Sequence, residues 1–137
     1  MIEYELKNEV CEVEKLECFI NDCTEKFDLP LQWTMQINMV LEEAVSNVIL
    51  YAFDDGKEHK FKVLGEKVND IFSITIIDDG IAFDPVAQAP DVDITLSAEE
   101  RKIGGLGIFL MKQVMDEVSY ERKNGCNILN MSKNINA

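Results

Sequence analysis

The stretch HKFKVLGEKV (59–68), Asn69-Asp70, IFSITIID (71–78) decides the fold. Apolar and polar side chains alternate with period two through both runs, as in half-buried strands. Asn69-Asp70 suits a tight reversal, so the two runs read as a hairpin. In the second run Phe72, Ile74 and Ile76 share a face, and Asp78 has the same parity. An acid is therefore aimed at the side where the core residues of this strand point.

Upstream, Ile37, Val40, Leu41, Ala44, Val45, Val48 and Ala52 recur on one broad helical face, predicting a helix over roughly 30–53. Before it, Val10, Val13, Leu16, Phe19, Ile20, Cys23 and Phe27 predict another, with Asn8 placed to cap it. Asp28 and Pro30 together read as the start of the second helix. At the N-terminus IEYELK (2–7) alternates like a strand. Downstream, residues 79–104 lose all periodicity, and connections of that length are usually functional or mobile. Gly104-Gly105-Leu106-Gly107 then opens a helix carrying Ile108, Leu110, Met111, Val114 and Met115. Val118–Lys123 and Asn127–Ser132 read as a hairpin across Asn124-Gly125, a strong type I′ signal. The order β-α-α-β-β-loop-α-β-β predicts an α+β two-layer sandwich: a mixed or mainly antiparallel sheet with helices on one face. A single domain over 1–137 is expected, with a lid at about 84–104.

The 13 basic and 26 acidic residues give a net charge of −13, which argues against direct nucleic-acid binding, because phosphate contacts need clustered Lys and Arg. No apolar run approaches the ~20 residues of a membrane span, and the first residues lack a secretory pattern, so a cytoplasmic protein is expected. Cys11, Cys18, Cys23 and Cys126 show neither zinc-ligand spacing nor a disulfide framework. His59, the only histidine, reads as solvated rather than catalytic.

Three groups of residues could carry chemistry. Glu43 and Asn47, four apart, are neighbours on one helix edge. A carboxylate beside a carboxamide can activate a nucleophile and offer an oxygen to Mg²⁺; equally, the pair can be a solvated acid and a border amide. Asp78-Asp79-Gly80 can be an ordinary turn, or an inward acid that accepts from an amino group such as adenine N6, with Gly80 admitting a flat ring. Gly104, Gly105 and Gly107 before a helix suit a phosphate cradle, or else a flexible loop. They match neither the Walker loop nor the dinucleotide-binding turn.

Taken in order, helix E-x-x-x-N, strand-end D-x-G, long loop, glycines and helix resemble the ATPase superfamily of DNA gyrase, the ninety-kilodalton heat-shock chaperones, sensor histidine kinases and mismatch-repair ATPases. Within it the chain is most similar to the small bacterial anti-sigma-factor serine kinases. The resemblance rests on LEEAVSNVILYAF (41–53), IIDDGIAFDP (76–85) and the segment from Gly104 to Lys133. It implies ATP and Mg²⁺ as cofactors, with Glu43 as general base and Asn47 as metal ligand. It further implies Asp78 as the adenine-reading acid, Gly80 beside the ring, and Gly104, Gly105 and Gly107 as the lid hinge. Arg101 and Lys102 precede that hinge, as phosphate contacts or as an exposed basic pair. Ala82 stands where the family has a second glycine, and Leu50-Tyr51 where a basic residue is common. The implied partners are a sigma factor, an anti-sigma antagonist protein, or both. A homodimer is expected, by resemblance and from the apolar N-terminal strand.

Overall fold

The computed structural model describes residues 1–53, 55–82 and 111–136. Strand β1 (Ile2–Lys7) leads through a 3-10 turn (Val10–Glu14) into helix α1 (Lys15–Phe27). Helix α2 (Leu31–Asn47) continues into a π-helical turn (Val48–Ala52). Strands β2 (Lys60–Val68) and β3 (Ile71–Asp78) follow, then β4 (Glu117–Lys123) and β5 (Cys126–Asn134). Residues 111–114, just before β4, are helical. The sheet runs β1-β2-β3-β5-β4 and every described pairing is antiparallel.

Alternation along the strands puts one sheet face against the helices. Phe61 and Val63 of β2, Phe72, Ile74 and Ile76 of β3, and Leu129 and Met131 of β5 are all buried. Against them lie Leu16, Phe19, Ile20 and Cys23 of α1, and Ile37, Val40, Leu41, Ala44 and Val45 of α2. Gly65 makes the closest approach possible, since a Cβ there would stand 2.7 Å from Cys23 Sγ and 3.0 Å from Phe19 Cζ. The α+β sandwich expected from the residue pattern is thus observed, with helices on one face.

Both hairpins close over two residues, as the registers Val68 to Ile71 and Lys123 to Cys126 require. Asn124 and Gly125 both take positive φ, 53° and 78°, which is the type I′ requirement. Several local expectations are corrected. Asn8 caps nothing: its side chain accepts from the His59 amide (2.8 Å) and donates to the Lys57 carbonyl (3.0 Å), tying β1 to the approach of β2. Residues 10–14 are a 3-10 turn, not α-helix. Here Glu12 reaches back to the Lys7 amide (3.0 Å) and pairs with Lys15 (2.7 Å), contacts that hold its carboxyl below the ordinary value. Asp28 ends α1 rather than starting α2; it adopts the left-handed conformation at φ 55°, which Asp tolerates. His59 is not simply solvated, because its ring stacks on Phe53 at 4.3 Å and its Nε2 meets both oxygens of Asp55 at 2.8–2.9 Å.

Candidate nucleotide site

The helical pattern ends in an unexpected way. The segment expected to continue as one helix to residue 53 changes to π geometry immediately after Asn47. Such turns widen the helix and leave carbonyls available, and they recur at functional sites. Here the Ala52 carbonyl accepts from the Ile81 amide at 2.8 Å, joining the end of the helix to the turn after β3. Gly80 packs against Ala52 at that contact. A Cβ on Gly80 would fall 2.3 Å from the Ala52 carbonyl oxygen, so the lack of a side chain is required here by backbone packing.

Between α2, the π turn and the sheet lies a cavity. Ala44, Asn47, Val48 and Ala52 form its helical wall; Ile76, Asp78, Asn127 and Leu129 form its sheet wall; Met111 and Tyr120 complete it. One cross-sheet row supplies the polar end, because Asp78 pairs with Asn127 and Asn127 with Arg122. Asp78 is 6% exposed and Asn127 5%. Asp78 Oδ1 accepts from Asn127 Nδ2 and from the Gly80 amide, both at 2.9 Å. Asn127 Nδ2 also donates to the Ile81 carbonyl (2.8 Å), and its Oδ1 accepts from the Tyr120 hydroxyl. Arg122 donates to the Gly80 carbonyl at 2.8 Å. The turn 78–81 is therefore held from β5, β4 and the π turn at once.

Burial raises the pKa of Asp78 above the ordinary 3.8, opposed by hydrogen bonds from Asn127 and Gly80 and by the charge of Arg122. Asp79, its chain neighbour, adds to the upward push.

Of the residues singled out in the sequence, Asn47 and Asp78 meet at this cavity, and the Gly80 amide holds Asp78 Oδ1. Glu43 is half-buried on α2, one turn before Asn47, and is not among the cavity-lining residues. Ala82 is exposed. Leu50 and Tyr51 also face outward, 55% and 39% exposed. Arg101, Lys102, Gly104, Gly105 and Gly107, with the expected lid at 84–104, lie outside the described residues. Sequence reading missed Tyr120, Arg122 and Asn127. Asn127 carried a usable signal: it shares strand parity with buried Leu129 and Met131.

Compared with known proteins, the family model described as "Histidine kinase-like ATPase domain" matches residues 6–133. The chain belongs to this family. Its relatives include the serine/threonine-protein kinase BtrW of Bordetella bronchiseptica, 29% identical, with 74% of this chain and 73% of that protein covered. The serine-protein kinase RsbW of Listeria monocytogenes is 28% identical over 73% of this chain and 65% of its own length. An anti-sigma F factor of Clostridium beijerinckii is 30% identical over 68% and 66%. The matched region thus spans roughly two thirds to three quarters of these relatives. Among solved structures, the blue-light activated histidine kinase of Erythrobacter litoralis gives a TM-score of 0.58 at 18% identity, over 79% of this chain and 32% of that one. The histidine kinase AdeS of Acinetobacter baumannii gives 0.52 at 16%, over 100% and 69%. Both likenesses concern the fold.

Proposed function

We propose that this ATPase-family domain binds Mg-ATP and phosphorylates a serine or threonine of a small antagonist protein, within an anti-sigma-factor type of regulation. The observation that carries the reading is the meeting of Asp78 and Asn47 at one cavity, 31 residues apart in the chain, in a family of ATPases. Asp78 takes the exocyclic amino group of adenine. Asn47 supplies a neutral oxygen to the cation. Among the described residues there is no cluster of three or more His, Cys, Asp or Glu that could hold a metal. Mg²⁺ keeps waters and phosphate oxygens as ligands and asks little of the protein. Bound Mg²⁺ supplies neutralisation of charge on the phosphates.

In the transfer step the acceptor hydroxyl oxygen attacks the γ-phosphorus, the bond to the β,γ-bridging oxygen breaks, and ADP leaves. Glu43 takes the hydroxyl proton, acting one helical turn (about 6 Å) from Asn47. Arg101, Lys102 and the glycines at 104, 105 and 107 supply the phosphate contacts. No described helix is long and apolar enough to cross a membrane. The exposed edge of β1 is the surface for a homodimer.

A second reading is a non-catalytic, ATP-gated switch that holds its partner, which could be the sigma factor itself. The position of Glu43 outside the cavity lining favours it. Transfer of ³²P from ATP to an antagonist protein, abolished in Glu43→Ala, is expected for the kinase. ATP binding with no transfer to any antagonist would leave the switch. Asn47→Ala should weaken binding of ATP with Mg²⁺ more than binding without it, as calorimetry can measure.

A further inference from the structure

Asn127 stands directly opposite Asp78 in the sheet, and its carboxamide is engaged at both ends. Nδ2 faces two acceptors, Asp78 Oδ1 and the Ile81 carbonyl, while Oδ1 faces the Tyr120 hydroxyl. Turning the amide over would set its oxygen against two other acceptor oxygens. The orientation therefore follows from donor and acceptor chemistry.

We propose that the Tyr120–Asn127 pair is a positioning device that keeps Asp78 an aimed, acceptor-only carboxylate, and so makes the site prefer a 6-amino over a 6-oxo purine. This rests on the reading of the cavity as a purine-nucleotide site with Asp78 on the base. Among the described residues both hydrogen bonds to the carboxylate fall on Oδ1, so Oδ2 is the oxygen for the base. An ionised carboxylate accepts from an N6 amino group and repels an O6 carbonyl. A protonated carboxyl can donate to O6, and the discrimination is lost.

The charge state of Asp78 thus decides selectivity, and burial drives it toward protonation. The opposing groups are few. From β5 comes the Asn127 amide; from the chain itself, the Gly80 amide and the repelling Asp79; from β4, the Arg122 charge. The α2 and π-turn residues lining the cavity, Ala44, Asn47, Val48 and Ala52, carry no charge, and neither does Met111. Tyr120 acts on Asp78 through Asn127. Removing the Asn127 donor takes away a hydrogen bond that opposes desolvation of the carboxylate.

The test is calorimetric affinity for ATP and ITP across a pH series, using the wild type, Asn127→Leu, Asn127→Ser and Tyr120→Phe. The wild type should prefer ATP by about tenfold or more, the scale of one charge-assisted hydrogen bond. In Asn127→Leu that preference should shrink toward unity at low pH and return at high pH, as Asp78 ionises. Asn127→Ser keeps a donor and should keep most of the preference. Tyr120→Phe should move the same way as Asn127→Leu by a smaller amount, and it serves alone should the leucine variant not fold. If the variants weaken ATP and ITP by equal factors at every pH, the pair is merely structural and the proposal is overturned. A wild type that binds neither nucleotide overturns the underlying site reading, a separate and recognisable result.

Discussion

The two ends of the β3–β5 pairing both place a polar group at a core position, and the protein treats them differently. At one end Lys133, opposite Phe72, is buried. Its Nζ donates to the Val114 carbonyl at 2.9 Å and lies 3.9 Å from the centroid of the Trp33 ring. That ammonium closes the helix ending at residue 114 and is turned toward the Val114 carbonyl and the Trp33 ring. At the other end Asp78, opposite Asn127, is as deeply buried but has both its hydrogen bonds on one oxygen and borders a cavity. A polar residue at an apolar position is therefore not in itself a functional sign. What separates the two is whether hydrogen-bonding capacity is turned to the protein or to an opening.

This contrast can be broken most forcefully at Gly80. Gly80→Ala forces its methyl against the Ala52 carbonyl, so the 78–81 turn or the π turn must shift. Nucleotide affinity should fall by roughly two orders of magnitude, and stability by about 2–3 kcal/mol. Gly65→Ala, which crowds Cys23 and Phe19 instead, should cost about 1–3 kcal/mol and leave nucleotide affinity unchanged. Denaturant unfolding and calorimetry on both variants compare them directly. Equal loss of binding in the two would dissolve the distinction between scaffold and site.

Next in size is Lys133→Ala. The Val114 carbonyl loses its donor and the Trp33 face its cation, for about 2–3 kcal/mol of stability with unaltered nucleotide binding. Asp78→Asn should do the reverse, abolishing ATP selectivity while raising stability at neutral pH. The sign follows from linkage. A carboxyl with a raised folded pKa favours folding below its ordinary 3.8, and that contribution disappears as pH rises through the folded value. Wild type should thus gain stability relative to Asp78→Asn on acidification across that window, seen as converging melting temperatures. The smallest effect is expected on the exposed ladder Glu3–Lys62, where Lys62→Ala should change stability by no more than about 0.5 kcal/mol.

The elements of this fold were legible wherever side chains alternate or recur over several residues. Both hairpins, the helix pair and the inward aim of Asp78 come from such periodicity. Asn127 and Lys133 obey the same parity, yet Asn127 sits two residues after Gly125 and looks like part of a turn. Its partner is 49 residues away, and only strand register discloses the pairing. The π turn has no compositional signature, since a shift in backbone hydrogen bonding leaves the apolar spacing of Val48 and Ala52 intact. Asn8 and Asp28 are both good capping residues by type, and tertiary contacts or backbone geometry redirected each.

The strand order carries a consequence for synthesis. β5 is made last among the strands, yet it occupies an interior place between β3 and β4. Until residues 126–134 have emerged, β3 has an unpaired edge and Asp78 has no Asn127 opposite it. At roughly 5–20 residues per second, the helices and the β1–β2–β3 sheet exist for several seconds before the pocket can close. A nascent chain therefore holds a folded apolar half and a bare sheet edge at the same time. Growth of the polypeptide thus sets the earliest moment at which a nucleotide can be held, and any chaperone that guards the chain must cover the β3 edge until then.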